Sequence, residues 1–139
     1  MGMKIVFPGG KKVNAIYKDF TIRTDQSVDA GGEGSAPEPF DLFLASIGTC
    51  AGIYVLNFCQ ARGIATEGAG LDLTPERDPE TGLINKITLE IVLPEGFPEK
   101  FEEAIKRAVE LCTVKKHLHK PPVFEIRTSA TRSLAPAAG

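Results

Sequence analysis

Residues 39–62, PFDLFLASIGTCAGIYVLNFCQAR, constrain the fold more than any other stretch. Between Leu42 and Cys59 the only clearly polar side chains are Ser46, Thr49 and Asn57. A helix this apolar on nearly all sides belongs in an interior. At 1.5 Å per residue the run is roughly 27 Å long, enough to cross a small domain. With about 100° per residue, Ser46, Thr49, Asn57 and Gln60 fall on one narrow polar stripe. Cys50 lies at the edge of that stripe. Cys59, nine residues on, is about 180° away from it.

A chain of 139 residues with 42% apolar and 24% charged side chains suits a single globular domain spanning residues 1–139. The net charge of −2 argues against nucleic-acid binding, which goes with a basic excess. The long helix has the length of a membrane span, but Ser46, Thr49 and Asn57 interrupt it and its surroundings are amphipathic, so no membrane is expected. No basic start followed by an apolar run marks an export signal. Three cysteines, an odd number, then imply free thiols in a reducing cytoplasm.

The remaining segments are short. Met3–Phe7, Val13–Tyr17 and Phe20–Thr24 read as strands, joined at Pro8-Gly9-Gly10 and at Lys18-Asp19. Residues 29–38, DAGGEGSAPE, form a loop, either a plain connector or a functional one. Pro37 and Pro39 delimit the start of the long helix, Asp41 suits its positive end, and Gly63 stops it. Gly70–Thr74 and Asn85–Leu93 alternate as an antiparallel hairpin about a turn at residues 78–82. Pro98 opens a second helix to about Leu118, with Phe101, Ile105, Ala108 and Cys112 on its core face. After Pro121-Pro122, Val123–Arg132 reads as a last strand. The order β-β-β-α-β-β-α-β predicts an α+β domain with antiparallel sheet packed around a long buried central helix. That helix offers more apolar surface than one sheet layer and one helix can cover, so a homodimer is expected.

Cys50 and Cys112 each lie on a core-side face, so packed helices can bring the two thiols together. Spacing alone leaves two readings open, a reactive pair and two inert buried cysteines. Cys59 reads as a packing residue. His117 and His119 lie among Lys115, Lys116 and Lys120 as a solvated basic helix end. With Cys112 they match no standard zinc spacing, and no metal site is expected.

PFDLFLASIGTC, the helix that follows it, and CTVKKHL sixty-two residues after Cys50 resemble the OsmC/Ohr family, the osmotically induced and organic hydroperoxide resistance proteins. The element order agrees from Lys4 to Thr131. The resemblance implies an intertwined homodimer with two active sites at the subunit interface, acting as a cofactor-free thiol peroxidase on organic hydroperoxides. It makes Cys50 the peroxidatic residue and Cys112 the resolving one. An external dithiol, such as a lipoyl-bearing protein, would be the reductant. Where the family has a glutamate ten residues before the first cysteine this chain has Phe40, and the nearest carboxylates are Glu38 and Asp41. Where the family has an arginine in an early hairpin this chain has Lys11 and Lys12, with Arg23 a strand later. A thiol in an apolar site needs a nearby cation or helix N-terminus to ionise, so one of Lys11, Lys12 and Arg23 is the expected activator. The alternative from another class is a non-catalytic member of the same fold, holding a small hydrophobic molecule in an apolar pocket.

Overall fold

The computed structural model describes residues 2–130. Its central element is helix α1, Pro39–Ala61. At its start the Asp41 carboxylate accepts the Glu38 N–H at 2.9 Å, which satisfies one of the donors a helix N-terminus leaves open. At its end Gly63 takes φ +64°, and Ile64 N–H donates back to the Cys59 carbonyl at 2.9 Å. That reversal needs the left-handed conformation glycine adopts without strain.

Before α1 come three strands, β1 (Lys4–Gly9), β2 (Lys12–Tyr17) and β3 (Phe20–Thr24), in a meander of order β1-β2-β3. A loop with one 3-10 turn, Val28–Ala30, leads into the helix. After α1, β4 (Gly70–Arg77) and β5 (Ile84–Val92) form a separate antiparallel hairpin. Its register sets Leu71 against Ile91 and Leu73 against Leu89. A short 3-10 turn at Glu99–Phe101 then opens α2, Glu102–Glu110, and α3 follows at Thr113–His119.

The core is one stripe of α1, namely Ile47, Ala51, Val55, Phe58 and Cys59, packed with Ile105 and Val109 of α2 and the inner faces of β4 and β5. These positions recur every three or four residues, as a single buried helix face requires. Burial of α1 is therefore one-sided within a single chain. Ile53 on another side stays exposed, as do Phe40 and Phe43, which share the Ile47 face but lie beyond the core at the N-terminal end; within one chain the helix is covered on fewer sides than expected.

Two further expectations are corrected. The single helix from Pro98 to Leu118 is broken at Leu111–Cys112, where Cys112 is extended (φ −49°, ψ 125°) and caps α3. No glycine or proline marks the break, so tertiary packing overrides local propensity there. The last strand does not form among the described residues. Residues 121–130 have no ladder partner, and Val123 and Ile126 are 96% and 93% exposed. Pro121 and Pro122 carry the chain away from α3 without backbone donors, and no sheet edge of the same chain receives it. Thr131 and Arg132 lie outside the described residues.

Candidate active site

The break between α2 and α3 brings the two candidate cysteines together. Cys112, at the break, is fully buried, and Cys50 on α1 is half-buried. The first turn of α3 begins beside the Cys50 sulfur. The Val114 amide is the strongest influence, followed by the Cys112 thiol, and both lower the Cys50 pKa below the ordinary thiol value. Burial opposes them, and the Thr113 amide assists. Hydrogen bonds to the charged form favour that form. Burial raises the Cys112 pKa, and its hydrogen bond with Cys50 raises it further. The two neighbouring thiols are thus pushed in opposite directions, Cys50 towards easier ionisation and Cys112 away from it.

Cys59 stands apart. It is fully buried on the opposite face of α1, and desolvation raises its pKa against a lowering by Arg62. The angular reading of α1 is thus reproduced, with Thr49, Asn57 and Gln60 exposed beside Cys50. Ser46 and Thr49 donate to the Phe43 and Ala45 carbonyls of their own helix at 2.7 and 2.8 Å.

The other candidate residues are engaged elsewhere within one chain. Lys12 pairs with Glu33 at 2.6 Å, the Lys11 side chain runs past Gly31, and Arg23 stands opposite Asn14 in the β2–β3 ladder. Glu38 accepts the Ser27 N–H at 3.1 Å. Asp41 caps α1, nine residues and about 13 Å of helix rise before Cys50. Phe40, at the position of the expected glutamate, packs on Phe43 with ring centroids 5.3 Å apart. No charged side chain is among the groups acting on Cys50 in the described residues. His117 donates from Nδ1 to the Thr113 carbonyl at 2.8 Å, closing the first turn of α3. Among the described residues no group of three metal-ligating side chains gathers.

Sequence reasoning missed Asp25, which is fully buried. Its carboxylate accepts from the Ser35 hydroxyl at 2.5 Å, the Gln26 amide at 2.7 Å and the Ser35 amide at 3.0 Å. The Ser35 bonds foremost hold its pKa down at about 2. Its own N–H donates to the Pro37 carbonyl at 3.1 Å, so Asp25 ties β3 to the approach of α1. The signal available was an aspartate closing a strand ahead of a glycine- and serine-rich loop.

The chain matches the family model described as OsmC-like protein over residues 32–127. No curated protein matches it in sequence. A Psychrobacter arcticus structure, described as an osmotic stress induced and detoxification response protein, superposes with a TM-score of 0.70. It is 22% identical and covers 82% of this chain and 85% of its own. An organic hydroperoxide resistance protein OsmC from Legionella pneumophila gives 0.51 at 19% identity, covering 85% of this chain and 89% of its own. One from Vibrio cholerae, with captopril bound in one of its active sites, gives 0.53 at 16% identity, covering 87% and 86%. At these identities the structures speak for the fold. The match over residues 32–127 takes in the loop, α1, the hairpin and both cysteine-bearing motifs, and on it the chain belongs to the OsmC-like protein family.

Proposed function

We propose that this protein is a thiol-dependent peroxidase that reduces organic hydroperoxides, in a reducing cytoplasm and as a homodimer. One observation carries the reading: Cys50 of α1 and the buried Cys112 at the α2–α3 break are interacting neighbours beside the first turn of α3, with Cys50 lowered and Cys112 raised in pKa. Membership of the OsmC-like family and neighbours named for organic hydroperoxide resistance support it.

The chemistry follows from the geometry. The Cys50 thiolate attacks the terminal oxygen of the hydroperoxide, the O–O bond breaks, and the organic alkoxide leaves as the alcohol after taking a proton. Cys50 is then a sulfenic acid. Cys112, its nearest thiol, loses its proton and attacks the Cys50 sulfur; the S–S bond forms and the hydroxyl leaves as water. An external dithiol returns both thiols by exchange and becomes the disulfide. The electrons come from that dithiol, so the chain needs no cofactor of its own. The amides of α3 do part of the work for which a cation was expected. A cation from the early hairpin of either subunit (Lys11, Lys12 or Arg23) adds to them by favouring the thiolate.

Steady-state assays with cumene and tert-butyl hydroperoxide, against hydrogen peroxide, test the reading with a dithiol reductant. Turnover should favour the organic substrates, vanish in Cys50→Ser, and in Cys112→Ser give way to over-oxidised Cys50. A wild-type protein whose three thiols all react equally slowly at neutral pH would overturn the assignment.

A further inference from the structure

We propose that the cavity between β5, α2 and α3 is a binding site for an amphipathic organic anion, an unbranched carboxylate with a medium-length alkyl tail. The cavity has a volume of about 640 Å³, within the range of small-molecule sites. Its floor is aliphatic throughout: Ile47 of α1, Ile87, Leu89 and Ile91 of β5, Val109 of α2 and Leu118 of α3. With no aromatic ring to stack a flat ligand, such a floor suits an alkyl chain.

The rim decides the sign of the head group. Lys86, Lys106, Lys115 and His119 stand around the opening, with Glu110 the one carboxylate among the lining residues. Three separate elements each contribute a cation. Lys86 and Lys106 have exposed partners, Glu76 at 3.4 Å and Glu103 at 2.6 Å, and exposed pairs of this kind hold weakly. Lys115 has no ion pair among the described residues and is the natural anchor. A carboxylate there meets charge complementarity while its tail covers apolar surface that water otherwise wets.

Neither Cys50 nor Cys112 lines this cavity, although it adjoins them: Ile47 is one turn before Cys50, and the Lys115 backbone acts on Cys112. Its test is binding alone, so it stands or falls independently of the peroxidase reading. Full-length protein is titrated with decanoate, decan-1-ol and decyltrimethylammonium by calorimetry, with methyl NMR on the isoleucines and leucines. Decanoate should bind, shift the Ile87 and Leu118 methyls, and lose about tenfold or more in affinity in Lys86→Glu/Lys115→Glu. Unchanged circular dichroism would show that variant folded. Equal binding of decan-1-ol, or unchanged affinity in the double variant, would overturn the proposal. So would absent binding because a second copy or residues 121–130 fill the cavity, which truncation after Lys120 would reveal by moving the same methyls.

Discussion

At the scale of single residues, Asp25 and Gly32 make the sharpest test of how the loop before α1 is held. A Cβ at Gly32 would overlap the Gln26 carbonyl and press on the Asp25 carboxylate. Gly32→Ala should therefore destabilise by about 1–3 kcal/mol, as overpacking does, measured by urea unfolding. Asp25 supplies a pH dependence. Its carboxyl is held at about 2, below the ordinary 3.8, so on acidification the unfolded chain binds the proton first. The stabilisation it provides is complete above about pH 4 and is lost as pH falls towards about 2. Asp25→Asn should be less stable at neutral pH and should flatten that acid limb in unfolding titrations. Cys59→Ser belongs at this scale too. It should keep peroxidase activity and lose some stability through a buried hydroxyl; activity lost to the level of Cys50→Ser in a folded protein would contradict the assignment of helix faces.

Among the elements, the break between α2 and α3 matters most, and it was the least legible. The Ser46–Thr49–Asn57 stripe placed Cys50 and Cys59 on opposite faces of α1, and the Phe101–Ile105–Ala108 spacing placed Cys112 inward. Those are local periodicities, which a sequence displays directly. The break at Leu111–Cys112 has no such signal, because neither residue terminates helices. At it Cys112 is extended and fully buried as a neighbour of Cys50, and α3 begins beside the same sulfur. Asp25 escaped for a related reason: its partners at Ser35 and Pro37 are ten and more residues away and meet it only once the loop closes. The break can be tested without destroying it. Cys112 is already extended, the conformation favoured before proline, and Thr113 is the first residue of α3, where proline is tolerated. Thr113→Pro deletes one amide donor to Cys50 and should raise its pKa and slow its reaction with a thiol reagent severalfold at neutral pH. Ultraviolet thiolate absorbance across a pH titration measures this directly. An unchanged pKa would mean that the Thr113 amide contributes nothing and would leave the Val114 amide as the helical donor to account for the lowered Cys50.

For the molecule as a whole, the uncovered surface points to association. Phe40, Phe43 and Ile53 of α1 and Val123, Phe124 and Ile126 beyond α3 are all exposed, more apolar surface than a monomer usually leaves to water. Light scattering at micromolar concentration should give the mass of two chains, and a chain ending at Lys120 should associate more weakly. A one-chain mass for the intact protein would refute the dimer. The order of elements was readable as far as β5 and the start of α2, because each of these is specified by its own residues; the last strand was not, because a strand exists only when an edge pairs with it, and among the described residues no edge of either sheet pairs with residues 121–130. That unpaired stretch carries a biological consequence. An extended segment without ladder bonds is the form in which proteases bind a backbone, and such exposed segments are where nicking concentrates. A second copy that covers it shields it only in proportion to the number of copies present. If a second copy does cover residues 121–130, proteolytic cutting there should slow as the protein concentration is raised.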